Sequence, residues 1–346
     1  MTKAIITGWD IGGAHLKVAQ CTQQGELLHA LEVPCPLWQG IEELSKAVKK
    51  IQKKLIGPTS INAITMTGEL VDIFTDRQSG VDEIITNIQP FLSEGSCHIY
   101  AGEQTWLSPS EAKKQWQQVA SRNWQASVSY TAQTIEQGLF IDVGSTTSDI
   151  IAINNHQAQP TAFNDFERQA ISELHYAGVI RTPLIAIAHT APFDNKTIRL
   201  AAEVFATSGD CWCILGQLNP SALQDNTSDG QTWQKSDCIR RLARLLGTDA
   251  YEFPEQQWEQ LAQWFAQQQI MQLQQACQTV LANHTAISQK APLIGAGIGR
   301  FMVQHCAKQL GKDYIDFSSL TNPSSPQAAD NAPAAAIALL ASRQLS

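Results

Sequence analysis

The sequence predicts an α/β protein made of two similar halves, because the same β-hairpin pattern occurs twice along the chain. Residues 8–19 read Gly-Trp-Asp-Ile-Gly-Gly-Ala-His-Leu-Lys-Val-Ala, and residues 140–152 read Phe-Ile-Asp-Val-Gly-Ser-Thr-Thr-Ser-Asp-Ile-Ile-Ala. In both, an apolar run ends in an aspartate, a tight turn with glycine follows, and a second β-prone run begins. The aspartates, Asp10 and Asp142, are 132 residues apart. One such hairpin is a common turn, but two at half-chain spacing predict a duplicated fold with a phosphate site in the cleft between its halves.

The first half, taken as residues 1–136, is predicted to start as a three-stranded meander and to continue with helices and further strands. A helix is expected at 41–56, where apolar residues recur at helical spacing before Gly57 and Pro58. The predicted strands cover residues 3–10, 14–21, 26–33, 61–67 and 97–101. Further helices are predicted at about 80–92 and 109–134.

The second half, taken as residues 137–346, repeats this plan. Its predicted strands cover residues 139–143, 148–153 and 184–188, and its predicted helices cover about 196–206, 235–246 and 255–282. Polar loops are expected at 222–232 and 321–333. A terminal helix rich in alanine and leucine follows, and the sequence leaves open whether it packs back on the first half.

Length, charge and cysteine usage exclude several classes of protein. At 346 residues the chain can form two domains, each with its own core. The formal net charge of −8 argues against a general nucleic-acid-binding surface, which needs a basic face. No stretch approaches the roughly 18 apolar residues of a membrane span, and no signal pattern precedes the first strand-like run. The eight cysteines are scattered without zinc-site spacing, which favours a cytoplasmic protein with reduced thiols.

The turns of both hairpins are predicted to bind phosphate through backbone N–H groups, which converge on anionic oxygens in such turns. The residues that would supply these groups are Gly12, Gly13, Ala14, Gly144, Ser145, Thr146 and Thr147. Asp10 and Asp142 point at the same space and are predicted to hold Mg²⁺ against the phosphate. Lys17 would add a positive charge to the site, and Asp149 occupies the matching position of the second hairpin.

A third glycine-containing segment supports this interpretation. Residues 292–300 read as a strand, a turn with Gly295 and Gly297, and the start of a helix. A turn of this kind lets the backbone approach a ligand closely and directs a helix N-terminus at it. The segment lacks the rest of a dinucleotide-binding fingerprint, so it is useful only together with the two hairpins.

These three elements resemble the actin/Hsp70/sugar-kinase superfamily, as does the position of Lys17 seven residues after Asp10. The resemblance covers most of the chain and implies a duplicated ribonuclease-H-like (actin-like ATPase) fold, with two domains around a central cleft. Residues 141–150, Ile-Asp-Val-Gly-Ser-Thr-Thr-Ser-Asp-Ile, are similar to the D-x-G-[GS]-T-[ST]-[ST]-D turn of the hydantoinase/oxoprolinase branch.

Three further strings, at residues 66–72, 80–84 and 173–183, resemble the tetrahydromethanopterin-linked C1-transfer pathway proteins, whose archaeal members act in methanofuran biosynthesis. The resemblance implies a transferase that joins an aminomethylfuran methyl diphosphate to γ-glutamyltyramine as an aryl ether and releases diphosphate. Asp10, Lys17 and Asp142 would then stabilise the diphosphate with Mg²⁺. Glu69 or Asp72 would accept the phenolic proton or bind the substrate ammonium group, and Arg181 would bind the γ-glutamyl carboxylate.

Two other functions remain open at this point. An ATP-dependent kinase or amidohydrolase of the same superfamily would place adenosine against Gly295 and Gly297. A non-catalytic nucleotide-state sensor would change conformation with negligible turnover. The transferase requires no ATP, so ATP is a cofactor only under the other two hypotheses, and a homodimer is compatible with all three.

Overall fold

Two β-sheets, one from each half of the chain, form the framework of the protein. The computed structural model describes residues 4–92, 95–103, 105–218, 222–223 and 227–345. The strands of the first half are β1 (Ile5–Ile11), β2 (His15–Thr22), β3 (Leu27–Pro34), β4 (Thr59–Met66), β5 (Ser96–Tyr100) and β6 (Trp106–Leu107). They form one sheet in the order β3–β2–β1–β4–β5–β6. β1, β2 and β3 are an antiparallel meander, and β4 and β5 continue the sheet parallel to β1.

The second half repeats this strand order. Its strands are β7 (Gly138–Val143), β8 (Ser148–Asn154), β9 (Gln157–Ala158), β10 (Leu174–His175), β11 (Thr190–Phe193), β12 (Lys196–Arg199), β13 (Leu293–Ala296) and β14 (Tyr314–Asp316). The second sheet has the order β10–β8–β7–β13–β14, with β9 paired to β8, and β11 and β12 form a separate hairpin. β10 and β8 lie antiparallel to their neighbours, and β13 and β14 continue parallel to β7. The third strand of the meander is much shorter here than in the first half.

Helices cover the faces of the sheets. Those of the first half are α1 (Glu42–Gln52), α2 (Arg77–Ile88), α3 (Pro109–Lys114), α4 (Trp116–Val119) and α5 (Asn123–Ala132). Those of the second half are α6 (Asp165–Ala170), α7 (Leu184–Ile187), α8 (Ser208–Ile214), α9 (Lys235–Leu246), α10 (Glu255–Asn283), α11 (Arg300–Leu310), α12 (Pro326–Asp330) and α13 (Ala332–Gln344). Local sequence fixes several ends: Asp76 and Ser79 form a capping box at the start of α2, and Gly247 ends α9 in a left-handed conformation.

The terminal helix α13 packs on the first sheet, against β1, β2 and β4, and also against α5. Its approach to β1 requires a glycine. A Cβ atom on Gly8 would lie 2.3 Å from the carbonyl oxygen of Ala334 and 2.7 Å from the amide nitrogen of Ala338. The alanines of α13 are buried in a core that also contains Phe140 and Ile151 of the second half. α13 therefore belongs to the core that joins the two halves.

Most predicted elements are confirmed, including the meander, the second hairpin, and the helices near 235–246 and 255–282. Two are wrong. The predicted strand at 184–188 is the short helix α7, whose buried Leu184 and Ile187 lie at helical spacing, because a short apolar run fits either structure. The predicted helix at 196–206 begins instead with β12. Asp194 and Asn195, with φ of 49° and 57°, form the two-residue turn before it.

Three predictions need smaller corrections. The helix predicted at 109–134 is divided into α3, α4 and α5, with Ser121 in a left-handed conformation (φ 55°) before α5. The loop predicted at 321–333 contains the short helix α12. The loop predicted at 222–232 lies partly outside the described residues. Within its described part, the amide of Gly230 donates to the carbonyl of Thr227 and closes a turn.

Candidate functional site

Both hairpin turns open onto one cleft between the two sheets, with a volume of about 320 Å³. Most of the site residues predicted from the sequence line this cleft: Asp10, Gly12, Gly13, Ala14, Lys17, Asp142, Gly144, Ser145, Thr146, Thr147, Asp149 and Arg181. The folded chain thus brings together residues that are up to about 170 positions apart in the sequence.

Equivalent backbone hydrogen bonds close the two turns. In the first, the amide of Gly12 donates to the carbonyl of His15 at 3.0 Å, and in the second the amide of Gly144 donates to the carbonyl of Thr147 at 2.9 Å. These bonds close the turns, so the Gly12 and Gly144 amides have partners within the protein. An anion in the cleft would therefore bind the amides of the residues that follow, which are Gly13 and Ala14 in the first turn and Ser145 and Thr146 in the second.

A row of charged side chains crosses the first sheet at the cleft. Asp10 on β1 pairs with Lys17 on β2, and Lys17 pairs with Glu32 on β3. Burial raises the pKa of Asp10 to about 6, although Lys17 opposes the shift. Burial also acts to lower the pKa of Lys17, but Glu32, Asp10 and Asp142 outweigh it and the pKa is raised. Lys17 is therefore a permanent cation between carboxylates.

The matching row on the second sheet contains two aspartates. Asp142 on β7 pairs directly with Asp149 on β8. Burial raises the pKa of Asp142 to about 7, with Lys17 acting against the shift and Asp149 adding to it. Asp149 is held by Arg168, whose guanidinium donates to its Oδ1 at 2.8 Å. Arg168 is itself buried and lies 4.0 Å from the centre of the Trp124 ring.

Asp10 and Asp142 suit a hydrated Mg²⁺ that also binds phosphate. Both are almost fully buried, and the Oδ1 atom of Asp10 has no hydrogen-bond partner in the described structure. Among the described residues, no group of three or more histidines, cysteines or acidic residues could hold a metal by itself. Mg²⁺ is commonly held by one or two carboxylates together with substrate phosphates and water. The pair therefore fits an ion that arrives with its ligand.

The two predicted proton acceptors lie outside the cleft lining. Glu69 is buried behind it and accepts a hydrogen bond of 2.8 Å from the Ser121 hydroxyl. Burial raises the pKa of Glu69 to about 7, against the effect of that hydrogen bond. Asp72 is exposed on a turn. Because Ser121 lines the cleft, Glu69 is connected to the site through the break before α5.

The predicted glycine-rich turn also supports the cleft from behind. Gly297 has φ of 79°, and a Cβ atom there would lie 2.4 Å from Oδ1 of Asp142 and 2.3 Å from the carbonyl of Val143. Its amide donates to the carbonyl of Ala329. Gly295 faces the Tyr314 ring. Neither glycine is among the residues that line the cleft, so the turn packs against the Asp142 strand end.

Sequence reasoning missed several lining residues, namely Trp38, Asn123, Trp124, Asp165, Arg168 and Tyr176. They come from loops and short helices whose positions depend on tertiary packing, so they carry no local motif. Asp165 follows Asn164, whose side chain caps α6, and an N-cap signal before a short helix was the one local feature that could have drawn attention to it. Burial raises the pKa of Asp165, with Arg168 opposing the shift.

No helix among the described residues is long and apolar enough to cross a membrane. All eight cysteines are free thiols.

Sequence comparison finds relatives for this architecture. The profile of the hydantoinase/oxoprolinase family matches residues 60–344. A protein of Methanocaldococcus jannaschii called (4-{4-[2-(gamma-L-glutamylamino)ethyl]phenoxymethyl}furan-2-yl)methanamine synthase is 30% identical over 252 residues, which are 71% of this chain and 73% of the relative. A protein of the same name from Methanococcus vannielii is 31% identical over 121 residues, 35% of this chain and 54% of the relative.

Structure comparison supports the fold. Nucleotide-free acetone carboxylase aligns over 97% of this chain and 70% of its own, with a TM-score of 0.60 and 11% sequence identity. At that identity the likeness concerns the fold alone. The predicted duplicated ribonuclease-H-like fold is confirmed by this neighbour and by the repeated strand order of the two sheets.

Proposed function

This chain belongs to the hydantoinase/oxoprolinase family, and we propose that it joins an aminomethylfuran methyl diphosphate to γ-glutamyltyramine as an aryl ether, with release of diphosphate. The observation that carries the proposal is the 30% identity over 252 residues to the Methanocaldococcus jannaschii synthase, whose name describes such an ether. The cleft supports it, because Lys17 lines it and because Asp10 and Asp142 would hold Mg²⁺ beside a departing diphosphate.

The diphosphate binds between the two hairpin turns. The amides of Gly13 and Ala14 on one side and of Ser145 and Thr146 on the other would donate to its oxygens, since these residues line the cleft. Lys17 supplies a fixed positive charge from the first hairpin. Asp10 and Asp142 would hold Mg²⁺, which neutralises charge on the leaving diphosphate when it is bound. A furfuryl carbon–oxygen bond ionises readily, so electrostatic stabilisation of the leaving group is the main requirement.

The acceptor phenol then forms the new bond. Its oxygen attacks the CH₂ carbon, the bond from that carbon to the diphosphate oxygen breaks, and the phenolic proton goes to a carboxylate. We assign this proton to Asp165, because Asp165 lines the cleft whereas Glu69 and Asp72 do not. Its raised pKa makes it a better proton acceptor than an ordinary aspartate. Glu69 is a positioning residue in this scheme, since it binds Ser121 at the cleft wall.

The test uses the full chain with Mg²⁺, the furan diphosphate and γ-glutamyltyramine, and a parallel reaction with ATP in place of the furan diphosphate. We expect the ether and diphosphate in equal amounts without ATP. Asp165→Asn should lower kcat more than KM, and Asp313→Asn, at an exposed position, serves as the matched control. Clear ATP turnover without ether would instead identify an ATP-dependent enzyme. Ligand-driven closure without turnover would identify a sensor.

A further inference from the structure

A second cavity of about 590 Å³ adjoins the phosphate cleft. It shares Trp38 and Arg181 with the cleft, so these two residues form the boundary between the two spaces. The guanidinium of Arg181 lies 5.0 Å from the centre of the Trp38 ring. The other residues that line the second cavity are Pro34, Pro36, Gln39, Ile180, Thr207, Thr227, Ser228 and Trp233.

The chemistry of this cavity differs from that of the cleft. Among the described residues, no carboxylate lines it, whereas the cleft contains Asp10, Asp142, Asp149 and Asp165. Its walls combine two indole rings and two prolines with hydroxyl and amide groups. Such a surface suits an uncharged aromatic ring that carries a polar chain. It does not suit a second diphosphate, because Arg181 is the one cationic lining residue in the part of the chain that the structure describes.

The boundary residues are each connected to one phosphate turn. In the segment before Trp38, the amide of Leu37 donates to the carbonyl of Gly13 at 3.0 Å. In the second half, the amide of Arg181 donates to the carbonyl of Ser145 at 3.0 Å. The two halves of the protein therefore hold Trp38 and Arg181 together directly beside the turns where the diphosphate leaves.

We propose that the second cavity is the acceptor site, in which the phenol ring stacks on Trp38 and the polar chain lies towards Gln39 and Thr207. This inference rests on the proposed function, because it is the phenol oxygen that must reach the reacting carbon in the cleft. The ring must then lie at the boundary. Trp38 is 46% exposed and lines both spaces, and stacked aromatic pairs add to the affinity gained from burial alone.

The experiment measures equilibrium binding by calorimetry, with no turnover required. The native full-length chain is titrated with γ-glutamyltyramine, with tyramine, and with inorganic diphosphate plus Mg²⁺. We expect Trp38→Ala to weaken both phenols about tenfold and to leave diphosphate unchanged, and Trp38→Phe to restore most of the binding. Gln39→Trp should weaken γ-glutamyltyramine about tenfold but not tyramine, because the added ring occupies the space of the longer chain.

Tyr251→Ala is the control for loss of an aromatic side chain, since Tyr251 is 85% exposed and lines neither cavity. The inference is overturned if the native chain binds γ-glutamyltyramine and Trp38→Ala binds it equally well, and also if Trp38→Ala weakens diphosphate as much as the phenols. In both cases the proposed reaction can still be observed in the turnover assay. If the native chain binds neither phenol, alone or with diphosphate and Mg²⁺ present, the inference and the proposed function fail together.

Discussion

Directly opposite the aspartate one residue before the end of its first strand, the first hairpin has Lys17 and the second has Asp149. The N···O distances of the hydrogen bonds that close the two turns differ by only 0.1 Å. The two hairpins therefore differ in the charge of the side chain at this position and not in the hydrogen bond that closes the turn. In the first half the cation is part of the sheet, whereas in the second half it is Arg168, which comes from α6 and reaches Asp149 from outside the hairpin.

This difference shows how a duplicated fold can become an asymmetric site. Lys17 lines the cleft from β2, between Asp10 on β1 and Glu32 on β3. Arg168 is already bonded to Asp149 and to the carbonyl of Glu173, so its charge serves to stabilise the site itself. In the proposed reaction the first half would therefore supply the charge that acts on the ligand, and the second half would supply the Asp149–Arg168 ion pair beside Asp142.

The largest expected effect tests the element that both hairpins share. Asp142→Asn should lower kcat/KM for ether formation about 1000-fold, because it removes a ligand of the ion that neutralises the leaving group. The free energy of unfolding should stay unchanged or rise, because the amide needs no buried charge. Steady-state kinetics and urea denaturation measure the two quantities. An active Asp142→Asn enzyme would contradict the assigned role of this carboxylate.

The next test removes the anion that is specific to the second hairpin. Asp149→Ala should lower the free energy of unfolding by about 4 kcal/mol, because it leaves the buried Arg168 guanidinium without its carboxylate. The double variant Asp149→Asn/Arg168→Met should recover part of that loss. Urea denaturation of the three proteins provides the measurement. Equal free energies of unfolding for the single and double variants would mean that the unpaired Arg168 charge is not the cause of the loss.

A smaller, pH-dependent effect distinguishes the first half, where Glu69 supports the cleft from behind. The pKa of Glu69 rises from 4.5 to about 7 on folding, so the folded chain keeps a proton that the unfolded chain releases. The contribution of Glu69 to the free energy of unfolding should therefore fall by about 3 kcal/mol as pH rises from about 4.5 to 7. Glu69→Gln should lose this part of the decline, keep the part that comes from Asp10 and Asp142, and be more stable than the native chain at pH 8. Denaturation at a series of pH values tests this, and an unchanged pH profile in the variant would count against it.

The smallest expected effects concern the competition between Asp10, Glu32 and the ligand for the ammonium group of Lys17. Lys17→Gln should weaken binding of inorganic diphosphate with Mg²⁺ about tenfold. Glu32→Gln should strengthen it about threefold, because the ammonium group loses a competing carboxylate on β3. Calorimetric titration measures both changes. If the two variants change the affinity in the same direction, Lys17 does not act on the diphosphate as a free charge.

The sequence predicted the parts of the site that depend on local geometry. Each hairpin is defined within about 12 residues by a strand, a tight turn and a second strand, and the repeat of Asp10 at Asp142 identified both turns at once. The parts it missed depend on distant contacts. Trp38 reaches the cleft because the amide of the preceding residue, Leu37, donates to the carbonyl of Gly13 in the first turn. The helix predicted at 109–134 is broken at Ser121, which bonds to buried Glu69 some 50 residues earlier.

The packing of α13 has a consequence for how the protein is made. The first sheet is synthesised well before the helix that covers it, because the Cys21 thiol of β2 donates to the carbonyl of Ala338 across 317 positions. At the usual speed of translation this separation corresponds to at least about 15 seconds. Throughout that time the apolar face of the first sheet has no permanent cover. A chain that stops before α13 should therefore aggregate in cells. Both hairpins and every cleft residue named above would already be present in such a chain.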